Sequence, residues 1–121
     1  MILQVNKNDS LNKFQQQFNA YYPFLKIEFF KKIFLDGSTD KTDIFFGVDR
    51  WVNIDVNRKR TITELEKDFD KLLGLSARIF RKSGKVWVET SLTNDWSLED
   101  QNEEGKLISS HFIDNKNQPI I

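Results

Sequence analysis

Residues 5 to 32, VNKNDSLNKFQQQFNAYYPFLKIEFFKK, can be laid without a gap over residues 56 to 83, VNRKRTITELEKDFDKLLGLSARIFRKS. Val5 meets Val56, Asn6 meets Asn57, Ser10 meets Thr61 and Leu11 meets Ile62. Further along, Phe14 meets Leu65, Phe18 meets Phe69, Tyr21 meets Leu72 and Phe29 meets Phe80. Few of these are identities, but the physical roles coincide. An internal repeat restricts the possible folds more than composition does, because both copies must bury the same apolar pattern.

Each copy reads as strand, helix, strand. ILQV and WVNIDV alternate, with Leu3 and Val5, and then Val52, Ile54 and Val56, on one face. Ser10 and Thr61 stand where a helix cap belongs, and Thr61 with Glu64 has capping-box spacing. Leu11, Phe14, Phe18 and Tyr21, like Ile62, Leu65, Phe69 and Leu72, recur at helical intervals. Pro23 and Gly74 end the two helices, and strands follow at Leu25–Lys31 and Ser76–Arg81. One mismatch remains: Leu25, Ile27 and Phe29 alternate inward, but their ungapped partners are Ser76, Arg78 and Phe80. Sliding the second copy by one residue matches Leu25 with Ala77 and Ile27 with Ile79, so the turn after one helix is expected to hold an extra residue.

Two tandem βαβ units, 2–32 and 51–83, predict an α+β fold of the ferredoxin-like βαββαβ type: one antiparallel sheet with two helices on one face. DGSTDKTD, between IFL and IFF, reads as the tip of a long hairpin joining the units. The extension 84–121 predicts a fifth strand, KVWVET, then a short acidic helix near Leu98–Glu104 capped by Ser97 and ended by Gly105, and a loose tail. The whole of 1–121 reads as a single domain, long enough to bury a core rich in its eleven Phe.

The charge balance is zero but uneven. Residues 1–94 carry 16 Lys/Arg against 12 Asp/Glu, and residues 95–121 carry 2 against 6. The acidic stretch is therefore expected to lie over the basic hairpin FRKSGKVWVET and partly neutralise it. There is no cysteine, which excludes thiol catalysis, thiolate metal sites and disulfides. The N-terminus has no signal-peptide pattern and no window is apolar enough to span a membrane, so a cytoplasmic protein without membrane contact is expected.

Catalytic chemistry has little to build on. His111 is the only histidine, the glycines are scattered, and no nucleophile-elbow or phosphate-loop pattern occurs. Asp36, Asp40 and Asp43 lack the Gly and Glu placement of a calcium loop. No metal and no cofactor is expected. SGKVWVET shares only its Gly, one aromatic and one aliphatic with the RNA-recognition signature, and it follows the second helix instead of lying between the two.

Three functional expectations remain. The first is a non-catalytic interaction module that meets a protein partner or forms a homodimer through aromatics on the sheet face or edge, with Trp51, Trp87 and Trp96 as anchors. The second is nucleic-acid or polyanion binding by loop 57–60 and hairpin 78–85, using Arg58, Lys59, Arg60, Arg81, Lys82 and Lys85. In that reading the amides opening the second helix would join the basic loop in an anion site. The third is an enzyme using tail carboxylates and His111.

Overall fold

The structure, a computed structural model, describes residues 2–5, 11–30 and 52–117; for residues 4–5 and 111–117 the backbone alone is described. The hairpin tip expected around 36–43, the cap expected at Ser10 and the side chain of Trp51 lie outside the described residues. The fold is α+β. Its elements are β1 (Ile2–Val5), α1 (Leu11–Tyr21), β2 (Leu25–Phe30), β3 (Val52–Asp55), α2 (Ile62–Asp68), β4 (Ser76–Ser83), β5 (Val86–Glu89) and α3 (Leu98–Asn117).

Among the described residues these strands form two small antiparallel sheets, β1–β3 and β2–β4–β5. This differs from the single ferredoxin-like sheet expected from the sequence. In that architecture the first strands of the two units lie parallel at its centre. Here β1 and β3 are antiparallel, and so are β2 and β4. Apolar alternation fixes which face of a strand is buried, but it does not choose the neighbouring strand or its direction. The registers set like against like: Leu3 lies opposite Ile54, and Ile27 lies opposite Ile79.

Leu25, Ile27, Ala77 and Ile79 are all buried on the inner face of the larger sheet. In the alignment the buried positions after α2 therefore fall one residue later than those after α1. The extra residue has a place. After α2, Phe69–Leu73 wind as a π-turn, closed by Gly74 in the left-handed conformation (φ 65°). A π-turn is a helical turn with one residue inserted, so it shifts everything downstream by one.

Phe14, Phe18, Leu65, Phe69, Ile54 and Ile62 belong to the same core. Phe14 and Phe69 meet edge to face with ring centroids 5.1 Å apart. α1 ends differently from expectation. Tyr22, not Tyr21, turns inward, and its hydroxyl donates to the Val56 carbonyl, while Tyr21 stays 44% exposed. Burial pushes the Tyr22 hydroxyl well above its ordinary pKa. The capping box at α2 forms as read, with Glu64 N–H donating to Thr61 Oγ1 and Thr61 N–H to Glu64 Oε1.

α3 is the largest departure from the expected short tail helix. Ser97 caps it, accepting from Asp100 N–H at 3.1 Å, but the helix passes through Gly105 and continues to Asn117. Gly105 lies against Phe24 and Arg81, where a Cβ would fall 2.9 Å from Phe24 Cβ and 3.0 Å from Arg81 Cγ. The glycine is there for close approach, not for termination. With Leu98, Gln101 and Ser109 buried, α3 is part of the core.

Candidate interaction surface

The inner face of β2–β4–β5 is filled by the helices, and among the described residues no helix covers its outer face. Register and alternation place Phe30 beside Ser76, Glu28 beside Arg78, Lys26 beside Phe80, Phe80 beside Glu89, and Lys82 beside Trp87. Phe30 is 48% exposed, Arg78 and Glu89 are exposed, and Lys26, Phe80, Lys82 and Trp87 are half-buried. A shallow groove of about 290 Å³ runs between Phe30, Ser76, Arg78, Phe80 and Glu89.

Cations lie over the rings. Lys26 Nζ stands 5.5 Å from the Phe80 centroid and 5.2 Å from that of Trp87, and Lys82 Nζ stands 6.0 Å from Trp87. Carboxylates accompany them, since Lys26 pairs with Glu28 at 3.4 Å and Arg78 with Glu89 at 3.5 Å. The face is aromatic and amphoteric, with no large surplus of either charge.

Two parts of the sheet's edge are closed to strand addition. Along β2, Gln15 donates to the Ile27 carbonyl and Asn19 to the Leu25 carbonyl, each at 2.9 Å. Along β4, where β5 stops, Thr90 N–H and Oγ1 both donate to the Ile79 carbonyl at 3.2 and 2.7 Å. Partial burial raises the Glu66 pKa, opposed by the nearby Arg78 and by the Ile79 amide. Side chains on an open edge remove the unpaired backbone groups that would recruit another strand.

The basic residues singled out in the sequence do not gather into one patch. Arg58 and Lys59 pair with Glu99 at 3.9 and 3.3 Å. Arg60 is held by Asp68, with Glu64 at 3.8 Å, and the Asp68 hydrogen bond raises its pKa. Arg81 points to the inner face, where its Nη1 donates to Gln101 Oε1 at 2.9 Å and its guanidinium lies 5.8 Å from the Trp96 ring. Lys82 points to the outer face and Lys85 is exposed at the hairpin turn.

The amides opening α2 are used within the chain. Ile62 N–H donates to Trp96 O, Thr63 N–H to Asn94 O, and Glu64 N–H to Thr61 Oγ1. This leaves none of those donors for an anion at loop 57–60. The acidic segment does lie on β4, but its contact with Arg81 runs through the neutral Gln101, and its ion pairs go to loop 57–60 through Glu99.

Of the three tryptophans, Trp87 lies on the outer face and Trp96 sits before α3, 39% exposed. Trp51 is outside the described residues. The sequence reading missed Lys26, Phe30 and Phe80 as surface groups, although alternation from the buried Leu25 and Ile27 places Lys26 and Phe30 outward. The His111 side chain is outside the described residues, and no group of three or more His, Cys, Asp or Glu among the described residues could hold a metal ion. No described helix is long and apolar enough to cross a membrane. Comparison with protein-family models, with curated proteins and with solved structures gave no match.

Proposed function

We propose that the chain is a non-catalytic protein-interaction module whose contact surface is the outer face of β2–β4–β5, anchored by Phe30, Phe80 and Trp87. The observation that carries this reading is Lys26 lying over both the Phe80 and Trp87 rings on a sheet face that no described helix covers. Aromatic anchors with amphipathic basic neighbours suit a protein contact, where rings supply buried area and the rim supplies paired charge. The amphoteric balance favours a protein partner, or a second copy of the chain, over a polyanion. The setting is read as cytoplasmic.

The chain is also read as a duplicated βαβ unit whose copies pair strand with like strand. Leu3 opposite Ile54 and Ile27 opposite Ile79 support this.

A photo-crosslinking residue at position 80, with position 17 on the exposed side of α1 as control, tests the contact in cells that make the protein. A discrete adduct from position 80 alone is expected. Adducts of equal yield from both positions, or from neither, would sink the reading, and an adduct at twice the chain mass would identify a homodimer.

A second reading is favoured by the same rings: a single-stranded nucleic acid could stack its bases on Phe80 and Trp87 with Lys26 and Lys82 near its phosphates. Glu28 and Glu89 on that face oppose it.

A further inference from the structure

We propose that the exposed side of α3 forms a second contact surface, and that its occupant is a partner protein segment carrying an apolar side chain flanked by lysine or arginine. A groove of about 450 Å³ runs along this side, walled by Trp96 and Leu107 and rimmed by Asp100, Glu103 and Glu104. Leu107 is 66% exposed, an unusual position for a leucine on a helix that buries its other side. Asp100, Glu103, Glu104 and Leu107 recur at intervals of three and four, so they share one strip of the helix.

The aromatic wall is set before anything binds. Trp96 N–H donates to Thr93 O, Trp96 O accepts from Ile62 N–H, and the Arg81 guanidinium lies 5.8 Å from the indole centroid. A ring carried on a held backbone loses less conformational freedom when a partner covers it. The rim is uncompensated. Glu99 is paired with Arg58 and Lys59, whereas Asp100, Glu103 and Glu104 meet no cation among the described residues. Apolar walls with an unpaired acidic rim are complementary to an apolar anchor with cationic flanks, and the charges would also steer its approach. A metal ion does not suit the groove: the apolar walls give it nothing to bind, and no metal-holding group occurs among the described residues. This surface belongs to the helix that packs on β4 from the inner side, so it is separate from the outer-face contact proposed above.

The test uses the full chain and a short fluorescent peptide of Leu and Lys at helical spacing. A Leu/Glu peptide and a Ser/Lys peptide of equal length are the controls, with fluorescence anisotropy as the readout. The Leu/Lys peptide is expected to bind, the Leu/Glu peptide not to bind, and the Ser/Lys peptide to bind about tenfold more weakly or worse. Asp100→Lys with Glu103→Lys is expected to weaken Leu/Lys binding by about tenfold or more, while Gln17→Ala, on the exposed side of α1, leaves it unchanged. Both acids are exposed, so an unchanged thermal melt shows that the double variant folds. Leu/Lys binding that survives the double reversal, or Ser/Lys binding as tight as Leu/Lys, would overturn the proposal. Self-association in sedimentation that vanishes in the same variant would also overturn it, by assigning the groove to a second copy of the chain.

Discussion

Gly105 and Phe24 approach so closely that a single added methyl on the glycine would fall 2.9 Å from Phe24 Cβ and 3.2 Å from the Phe24 carbonyl oxygen. Neither atom belongs to the far end of a flexible side chain. In an exposed helix, Gly to Ala adds about 1 kcal/mol of stability. At this position the clash is expected to reverse the sign, so Gly105→Ala should lose roughly 1–3 kcal/mol. Urea denaturation compared with Lys106→Ala, on the exposed side of the same helix, checks this; a stabilised Gly105→Ala would show that α3 does not pack as described.

Gln101 is the polar counterpart of that close contact. Fully buried, it accepts from Arg81 Nη1 and donates to both Thr93 O and Thr93 Oγ1 at 2.7 Å. Gln101→Leu keeps the bulk and strands the partners, at an expected cost of about 2–3 kcal/mol. Adding Arg81→Met should recover part of that loss, because no cation is then left unpaired. A double variant no better than the single one would dissociate the two residues.

Tyr22 and its neighbour offer a sharper comparison. Tyr22→Phe removes only the hydroxyl that donates to Val56 O, and it should cost about 1–2 kcal/mol. Tyr21→Phe, on the exposed ring, should leave the midpoint of chemical denaturation where it was.

Glu66 sets a pH dependence whose sign follows from its environment. Its folded pKa is raised by burial, so the folded state holds the proton more tightly than the unfolded one. That contribution is fully present below the ordinary glutamate pKa and is lost as pH rises through the raised value. Glu66→Gln keeps the size of the side chain without the charge. It should therefore melt higher than the parent at pH 7, with the gap closing as the pH falls toward that of the protonated carboxyl. A gap that widens on acidification would show that Arg78 governs the site instead.

The outer sheet face separates the two functional readings. Trp87→Ala should abolish crosslinking from position 80, and labelled single-stranded RNA at low salt should not bind the parent protein. Retarded RNA whose affinity falls steeply with salt and depends on Trp87 would move the assignment to nucleic acid.

Much of this architecture was legible because its signals are local. The capping box at Thr61 and Glu64, the cap at Ser97, the strand ILQV and the one-residue slip between the copies all rest on patterns a few residues long. Gly105 misled because a glycine that stops a helix and one that admits a neighbouring chain look alike in sequence, and only Phe24 distinguishes them. Tyr21 and Tyr22 are adjacent rings, and the choice of which turns inward falls to the distant Val56 carbonyl. Lys26 and Phe30 were legible by alternation once Leu25 and Ile27 were inward, whereas the dispersal of the basic residues around Glu99, Asp68 and Gln101 was not.

By itself the sequence determined where β1 to β5, α1 and α2 lie and which residues of β2 and α2 leave water, since apolar periodicity and caps act within a few residues. Tertiary structure alone decided that β1 takes β3 and β2 takes β4 as antiparallel neighbours, and that α3 runs on through Gly105 into the core. Backbone hydrogen bonds are the same for every strand, so a neighbour is chosen by how all the buried faces fit together at once, and no short stretch of sequence contains that sum.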